Sequence, residues 1–272
     1  MSESSIPSRP AAFSYPGHGP NARIGVAICH GFTGSPLSVL PWAQHLADQG
    51  YAVTVPLLPG HGTDWRELAR TSWRDWYSSF EAAFLDLRSQ TDACFVAGLS
   101  MGGALALRLA AKHGDAVRGV MVVNPANKVH GLAAHALPVM RHLVPATKGI
   151  ASDIAKPESR ELGYDRVPLH AAHSLRRFFQ ATDRELPQVT QPVLLMRSPQ
   201  DHVVPPLDSA RILGRISSTD VKEVILEQSY HVATLDHDAD RIHEESLAFI
   251  GRIASGLGKE PGLGKEGTTA GG

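Results

Sequence analysis

Gly98-Leu99-Ser100-Met101-Gly102 lies between an apolar run at 94–97 and a small-residue stretch at 103–111, and the three pieces read as strand, tight turn and helix. A serine in such a turn sits at the carboxyl end of a strand in a strained backbone conformation. Glycines two residues to either side remove the Cβ atoms that would clash there. The hydroxyl is thereby offered to a substrate, while the first helical turn points N–H groups and positive dipole toward any developing anion. In a chain rich in Gly and Ser the pentapeptide alone is weak, so its neighbours carry the reading. β-formers precede it, and Leu105 and Leu109 with Ala106 and Ala110 give the following helix an apolar face.

Outward from this turn, strand-like runs stand at 24–29, 52–55, 94–98, 117–123, 193–197 and 221–226. Helical patterns at 37–49, 73–88, 102–113, 206–214 and 239–253 fill most of the gaps. This alternation predicts an α/β fold with a mostly parallel sheet covered by helices on both faces. The interval 127–188 breaks the pattern, having several prolines, short apolar clusters at 132–143 and 175–179, and no convincing strand. An insertion after the 117–123 strand sits over the carboxyl edge of the sheet, where ligands bind in open α/β folds. The chain therefore divides into a core of residues 1–126 and 189–254, a small helical cap at 127–188 and a disordered tail at 255–272, whose Gly, Lys, Glu and Thr cannot bury enough surface to order themselves.

Serine is a poor nucleophile at neutral pH, so the turn needs a general base within reach and a carboxylate to fix the base's tautomer. Asp201, in the loop that follows the 193–197 strand, is the candidate acid. His231, in the loop that follows the 221–226 strand, is the candidate base, and both loops leave the same edge as Ser100. Position selects His231 among 14 histidines. His202 follows the acid directly and points away from it, His113 ends a helix where its charge suits the dipole, and His237 and His243 belong to the solvent side of the terminal helix. An oxyanion hole completes the set: His30-Gly31-Phe32-Thr33-Gly34 ends the first long strand, so the backbone amides of Phe32 and Met101 are the expected donors, each worth ~3 kcal/mol of barrier. Their side chains are expected to line the acyl pocket.

At 272 residues the chain suits one large domain, and a formal charge of −1 leaves no footprint for nucleic acid or an anionic membrane. Cys29 and Cys94 are expected to be reduced, buried thiols. The polar N-terminus and the lack of any long apolar run predict no membrane span and a cytoplasmic protein. With no H-E-x-x-H and no C-x-x-C, neither metal nor cofactor is expected.

Taken together, His30-Gly31-Phe32-Thr33-Gly34, Leu58-Pro59-Gly60-His61-Gly62, the Ser100 turn, Asp201-His202-Val203-Val204-Pro205 and Ser229-Tyr230-His231-Val232-Ala233-Thr234-Leu235-Asp236 resemble the bacterial carboxylesterase and monoacylglycerol lipase group of the α/β-hydrolase superfamily. The resemblance runs from about Ile24 to Ile253 and is most specific around His231. It implies the α/β-hydrolase fold with a small cap, Ser100, Asp201 and His231 as triad, Phe32 and Met101 as oxyanion donors, and hydrolysis of monoacylglycerols or short- and medium-chain esters without a cofactor. Only residues 11–15 remain ahead of the first long strand for an edge strand, so a shortened sheet is expected. Rival readings are other chemistry on the same triad, such as thioester hydrolysis or acyl transfer, and a non-catalytic receptor that holds a small ligand. A haloalkane dehalogenase would carry Asp in the turn.

Overall fold

Along Ala93–Leu99 successive side chains enter opposite cores: Cys94 and Val96 face one, Phe95, Ala97 and Leu99 the other, all buried. A strand apolar on both faces belongs in the middle of a covered sheet. The computed structural model, which describes residues 10–131, 133–149 and 152–257, places it there. In chain order the strands are β1 (Phe13–Tyr15), β2 (Ile24–Cys29), β3 (Ala52–Val55), β4 (Ala93–Leu99), β5 (Val120–Val123), β6 (Ala146–Lys148), β7 (Arg166–Pro168), β8 (Val193–Arg197) and β9 (Val221–Ile225). Seven of them form one sheet in the order β1-β3-β2-β4-β5-β8-β9, parallel throughout except for β1, which pairs antiparallel with β3.

The helices are α1 (Leu40–Asp48), α2 (Trp65–Leu68), α3 (Trp73–Ser89), α4 (Met101–His113), α5 (Ala133–Met140), α6 (Leu169–Glu185), α7 (Pro206–Leu213) and α8 (Ala239–Leu257). α3 starts at a capping box, the N–H of Ser72 donating to the Asp75 carboxylate at 2.8 Å. It buries Trp76, Phe80, Phe84 and Leu87, a helical spacing that makes one apolar stripe. On the other face Trp42 and Leu46 of α1 meet Phe249 and Ile250 of α8, and the Trp42 indole donates to Ser246 at 3.0 Å. Among the described residues no helix is long and apolar enough to cross a membrane.

From β2 the chain crosses to β3 on one side, and from β4 to β5 on the other. The carboxyl ends of β2 and β4 therefore flank the point where winding reverses, which opens a crevice.

Several sequence expectations need correction. The interval 127–188 holds two strands, β6 and β7, paired antiparallel with Thr147 opposite Val167. At three residues each they are too short for a period-2 signal. The 37–49 helix begins as a separate 3-10 turn at Pro36–Ser38, and the 117–123 strand is regular only from Val120. α2, a single turn capped by the Asp64 carboxylate, has no sequence periodicity to reveal it. α8 continues to Leu257, three residues into the stretch read as a tail, and 258–272 lie outside the described residues.

Candidate active site

Ser100 adopts φ 57° and ψ −118°, a left-handed conformation that a non-glycine residue holds only where its surroundings enforce it. Packing enforces it here. A Cβ on Gly98 would lie 2.3 Å from the Gly102 carbonyl carbon, and one on Gly102 would lie 2.1 Å from the Cys29 carbonyl oxygen. Neither glycine has positive φ. Both serve close approach, so that β2, β4 and the start of α4 meet with nothing between them. Met101 opens α4, so its N–H is one of the unpaired donors of a helix start.

The loop after β2 runs alongside, Gly31 being near enough that an added Cβ would touch the Ser100 Cβ at 3.5 Å. His30 anchors this loop. Buried, and with its pKa lowered to about 4 by desolvation, its neutral ring donates from Nδ1 to the Gly31 carbonyl (2.9 Å) and accepts the Leu58 N–H at Nε2 (3.3 Å). His61 packs edge-on to it at 5.1 Å, its own pKa lowered to about 3 by burial and by the neighbouring imidazole.

On the opposite rim Asp201 and His231 meet, His231 Nδ1 lying 2.7 Å from Asp201 Oδ2. The other carboxylate oxygen accepts the N–H groups of Val203 (2.8 Å) and Val204 (2.7 Å), which fixes the acid's orientation. Ser100 and His231 face one cavity of about 400 Å³, also lined by Phe32, Met101, Leu175, Phe179, Val203 and Val204. Among the described residues the Ser100 hydroxyl has no hydrogen-bond partner, His231 included. Such a bond often tightens only when substrate is present.

The serine aminopeptidase S33 family, Hydrolase_4, matches residues 20–238. The chain belongs to the Hydrolase_4 family. Within it, the chain is 39% identical over 239 residues to the thermostable monoacylglycerol lipase of Bacillus sp. (strain H-257), a match covering 88% of this chain and 95% of that one. It is 24% identical over 230 residues to a carboxylesterase of Bacillus subtilis (strain 168), covering 84% and 92%. Among solved structures, one from work on the metagenome-derived lipolytic enzymes LipS and LipT superimposes with a TM-score of 0.86 at 38% identity, covering 91% of this chain and 99% of that one. This Hydrolase_4 member thus has the α/β-hydrolase fold.

Sequence reasoning missed four groups around the cavity. Asn124, at the end of β5 with φ 44°, accepts the Ser198 N–H (2.7 Å) and donates to the carbonyls of Tyr230 (3.2 Å) and His231 (2.8 Å), so it joins the loops that carry Asp201 and His231. Glu161 projects into the cavity over Gly34, where a Cβ would collide with its carboxylate at 2.6 Å. Burial raises its pKa to about 7, and His231 opposes the rise. Asp153 reaches the His231 loop, and the Tyr164 hydroxyl donates to the Gly60 carbonyl at 2.8 Å. An Asn with positive φ at a strand end has a local signature; the other three sit in a stretch with no periodicity. His243 also departs from expectation: it is buried, stacked on His45 at 4.6 Å, with its pKa lowered to about 4 by desolvation. Cys29 and Cys94 are buried thiols, Cys94 pushed up to about 12, so neither offers a competing thiolate.

Proposed function

We propose that this chain is a serine hydrolase that cleaves carboxylic esters through an acyl-enzyme, with monoacylglycerols and short- or medium-chain esters as substrates. The observation that carries this reading is one cavity holding both the strained Ser100 and a His231 whose Nδ1 is already engaged by Asp201. Ser100 Oγ attacks the ester carbonyl as His231 Nε2 takes its proton, and the oxyanion rests on the N–H groups of Phe32 and Met101. His231 then protonates the leaving alkoxide. Water attacks the acyl-enzyme by the same route, with His231 again as base, and releases the acid. Asp201 holds the imidazole and stabilises its cation without taking the proton.

The apolar wall of Phe32, Leu175, Phe179, Val203 and Val204 suits an acyl chain, while Glu161 supplies a polar end that can hydrogen-bond a hydroxylated leaving group. Residues 127–188 act as the cap over this cavity. The relative named as a monoacylglycerol lipase supports the choice of substrate. We place the enzyme in the cytoplasm, acting on small esters.

Ser100→Ala is expected to lower kcat on p-nitrophenyl butyrate by at least ~10⁴-fold with unchanged circular dichroism. A variant that keeps most of its activity overturns the reading. A fluorophosphonate should label wild-type Ser100, whereas a ligand receptor would not react. A series of 1-monoacylglycerols set against aminoacyl p-nitroanilides tests the substrate: faster turnover of the anilides would assign the site to peptides.

A further inference from the structure

We propose that Asp153 is a positioning residue through which the segment above the sheet edge sets the catalytic base, an inference that rests on the Ser100, Asp201 and His231 reading above. The backbone on both sides of the His231 Cα is gripped. Its carbonyl accepts from Asn124 at 2.8 Å, and its N–H donates to Asp153 Oδ2 at 3.1 Å. With Nδ1 held by Asp201 at 2.7 Å, Nε2 is the ring atom left for the cavity. Of these three holds, Asn124 and Asp201 belong to the sheet edge. Asp153 comes from the insertion.

The same carboxylate reaches the acid's loop. Asp153 Oδ2 also accepts the His202 N–H at 3.1 Å, and Oδ1 pairs with His202 Nδ1 at 2.8 Å. His202 follows Asp201, so one side chain ties together the loops that carry the acid and the base. The contact is sheltered, the Asp153 side chain being 11% exposed. The Val232 N–H adds a bond to the Asp153 carbonyl at 3.0 Å.

A mere anchor for the insertion is already present. Asp236, from the His231 loop, accepts the N–H groups of Ala155 (2.7 Å) and Lys156 (2.9 Å), and Tyr164 fastens the segment to Gly60. Asp153 points the other way, its acceptor atoms spent on the triad loops. Seating of this segment and placement of Nε2 are therefore one event, and loosening it costs rate before it costs substrate binding.

The test uses the full chain, p-nitrophenyl butyrate kinetics and the second-order rate of fluorophosphonate labelling at Ser100. In Asp153→Ala both kcat and the labelling rate should fall together, roughly 10- to 100-fold, the scale on which a shift of about an ångström slows a reacting group. KM should stay within about threefold of wild type. Asp153→Asn, whose amide oxygen can still accept both backbone N–H groups, should recover kcat to within about fivefold of wild type. If the alanine variant does not fold, Asp153→Ser, too short to reach His231, should show the same loss. Wild-type kcat and labelling per folded molecule in the alanine or serine variant overturn the proposal, as does a loss confined to KM. An asparagine variant as slow as alanine would assign the effect to charge and also overturn it. A wild-type enzyme that the fluorophosphonate does not label, or an active Ser100→Ala, would instead sink the parent reading.

Discussion

The turn at Ser100 and the segment from Val129 to Pro168 border the same cavity but are held by different means. The turn is fixed by backbone against backbone: α4 starts so close to β2 and β4 that a single methyl group at 98 or 102 has no room. The described residues of the segment are held by the β6–β7 pairing, by a small apolar cluster in which Val129, Val144 and Val167 pack against Leu137 and Leu169, and by hydrogen bonds to neighbouring loops. Asp153 accepts the His231 N–H, Asp236 of the His231 loop accepts the Ala155 N–H, the Tyr164 N–H donates to the Thr33 carbonyl at 3.1 Å, and the Tyr164 hydroxyl donates to the Gly60 carbonyl. Close packing tolerates no change of volume, whereas a hydrogen bond can be lost one at a time for roughly 1 kcal/mol. Ser100 thus sits where a single added methyl group has no room, and the segment beside its cavity is held in part by bonds that can be lost singly.

The contrast breaks most readily at Gly102. Gly102→Ala puts a Cβ 2.1 Å from the Cys29 carbonyl oxygen, and it is expected to cost at least about 3 kcal/mol by urea denaturation. Measured stability near wild type would mean that the turn can relax and that the two regions do not differ in kind.

The two regions also respond to pH with opposite sign. On the turn side, His30 and His61 are buried neutral, with pKa values lowered to about 4 and about 3 from 6.5. The unfolded chain takes up protons below pH 6.5 that the folded one refuses, so this stability is complete above pH 6.5 and drains away as pH falls toward 4. Each imidazole removes up to about 1.4 kcal/mol per pH unit across that window. Glu161 works the other way. With its pKa raised from 4.5 to about 7, the folded chain holds a proton that the unfolded one releases, so stability falls as pH rises between those values. Glu161→Gln should therefore be more stable than wild type at pH 8 by on the order of 1–2 kcal/mol, and match it at pH 4. Equal denaturation midpoints at pH 8 would show that the carboxyl carries no burial penalty.

The smallest expected effect is at Tyr164. Tyr164→Phe removes the hydroxyl that bonds the Gly60 carbonyl and accepts the Thr63 N–H, each at 2.8 Å. A loss of about 1 kcal/mol is expected by thermal denaturation, with kcat on a short p-nitrophenyl ester within about twofold. A tenfold fall in kcat would show that this segment is coupled to Ser100 through the Gly60–Thr63 loop as well as through Asp153.

Legibility followed the range of the interactions. The inner strands announced themselves because burial on both faces demands continuous apolar runs, and β2, β3 and β8 begin and end where those runs do. The turn at Ser100 was legible because glycine spacing is a local steric requirement. The β6–β7 ribbon was not, since three-residue strands carry no period and owe their pairing to partners about twenty residues away. His243 was misjudged because helical position says which face a residue occupies, and only the packing of α8 on α1 says that this face is covered.

Read from one end to the other, the polymer specified by itself the α/β alternation, the strained serine and the loops that carry Asp201 and His231, because each of these is dictated by sterics or burial over a few neighbouring residues. Which groups hold those loops in register was decided by tertiary structure alone. Asp153, Asn124 and Glu161 act across gaps of tens of residues, through hydrogen bonds and desolvation that come into being only once the chain has folded.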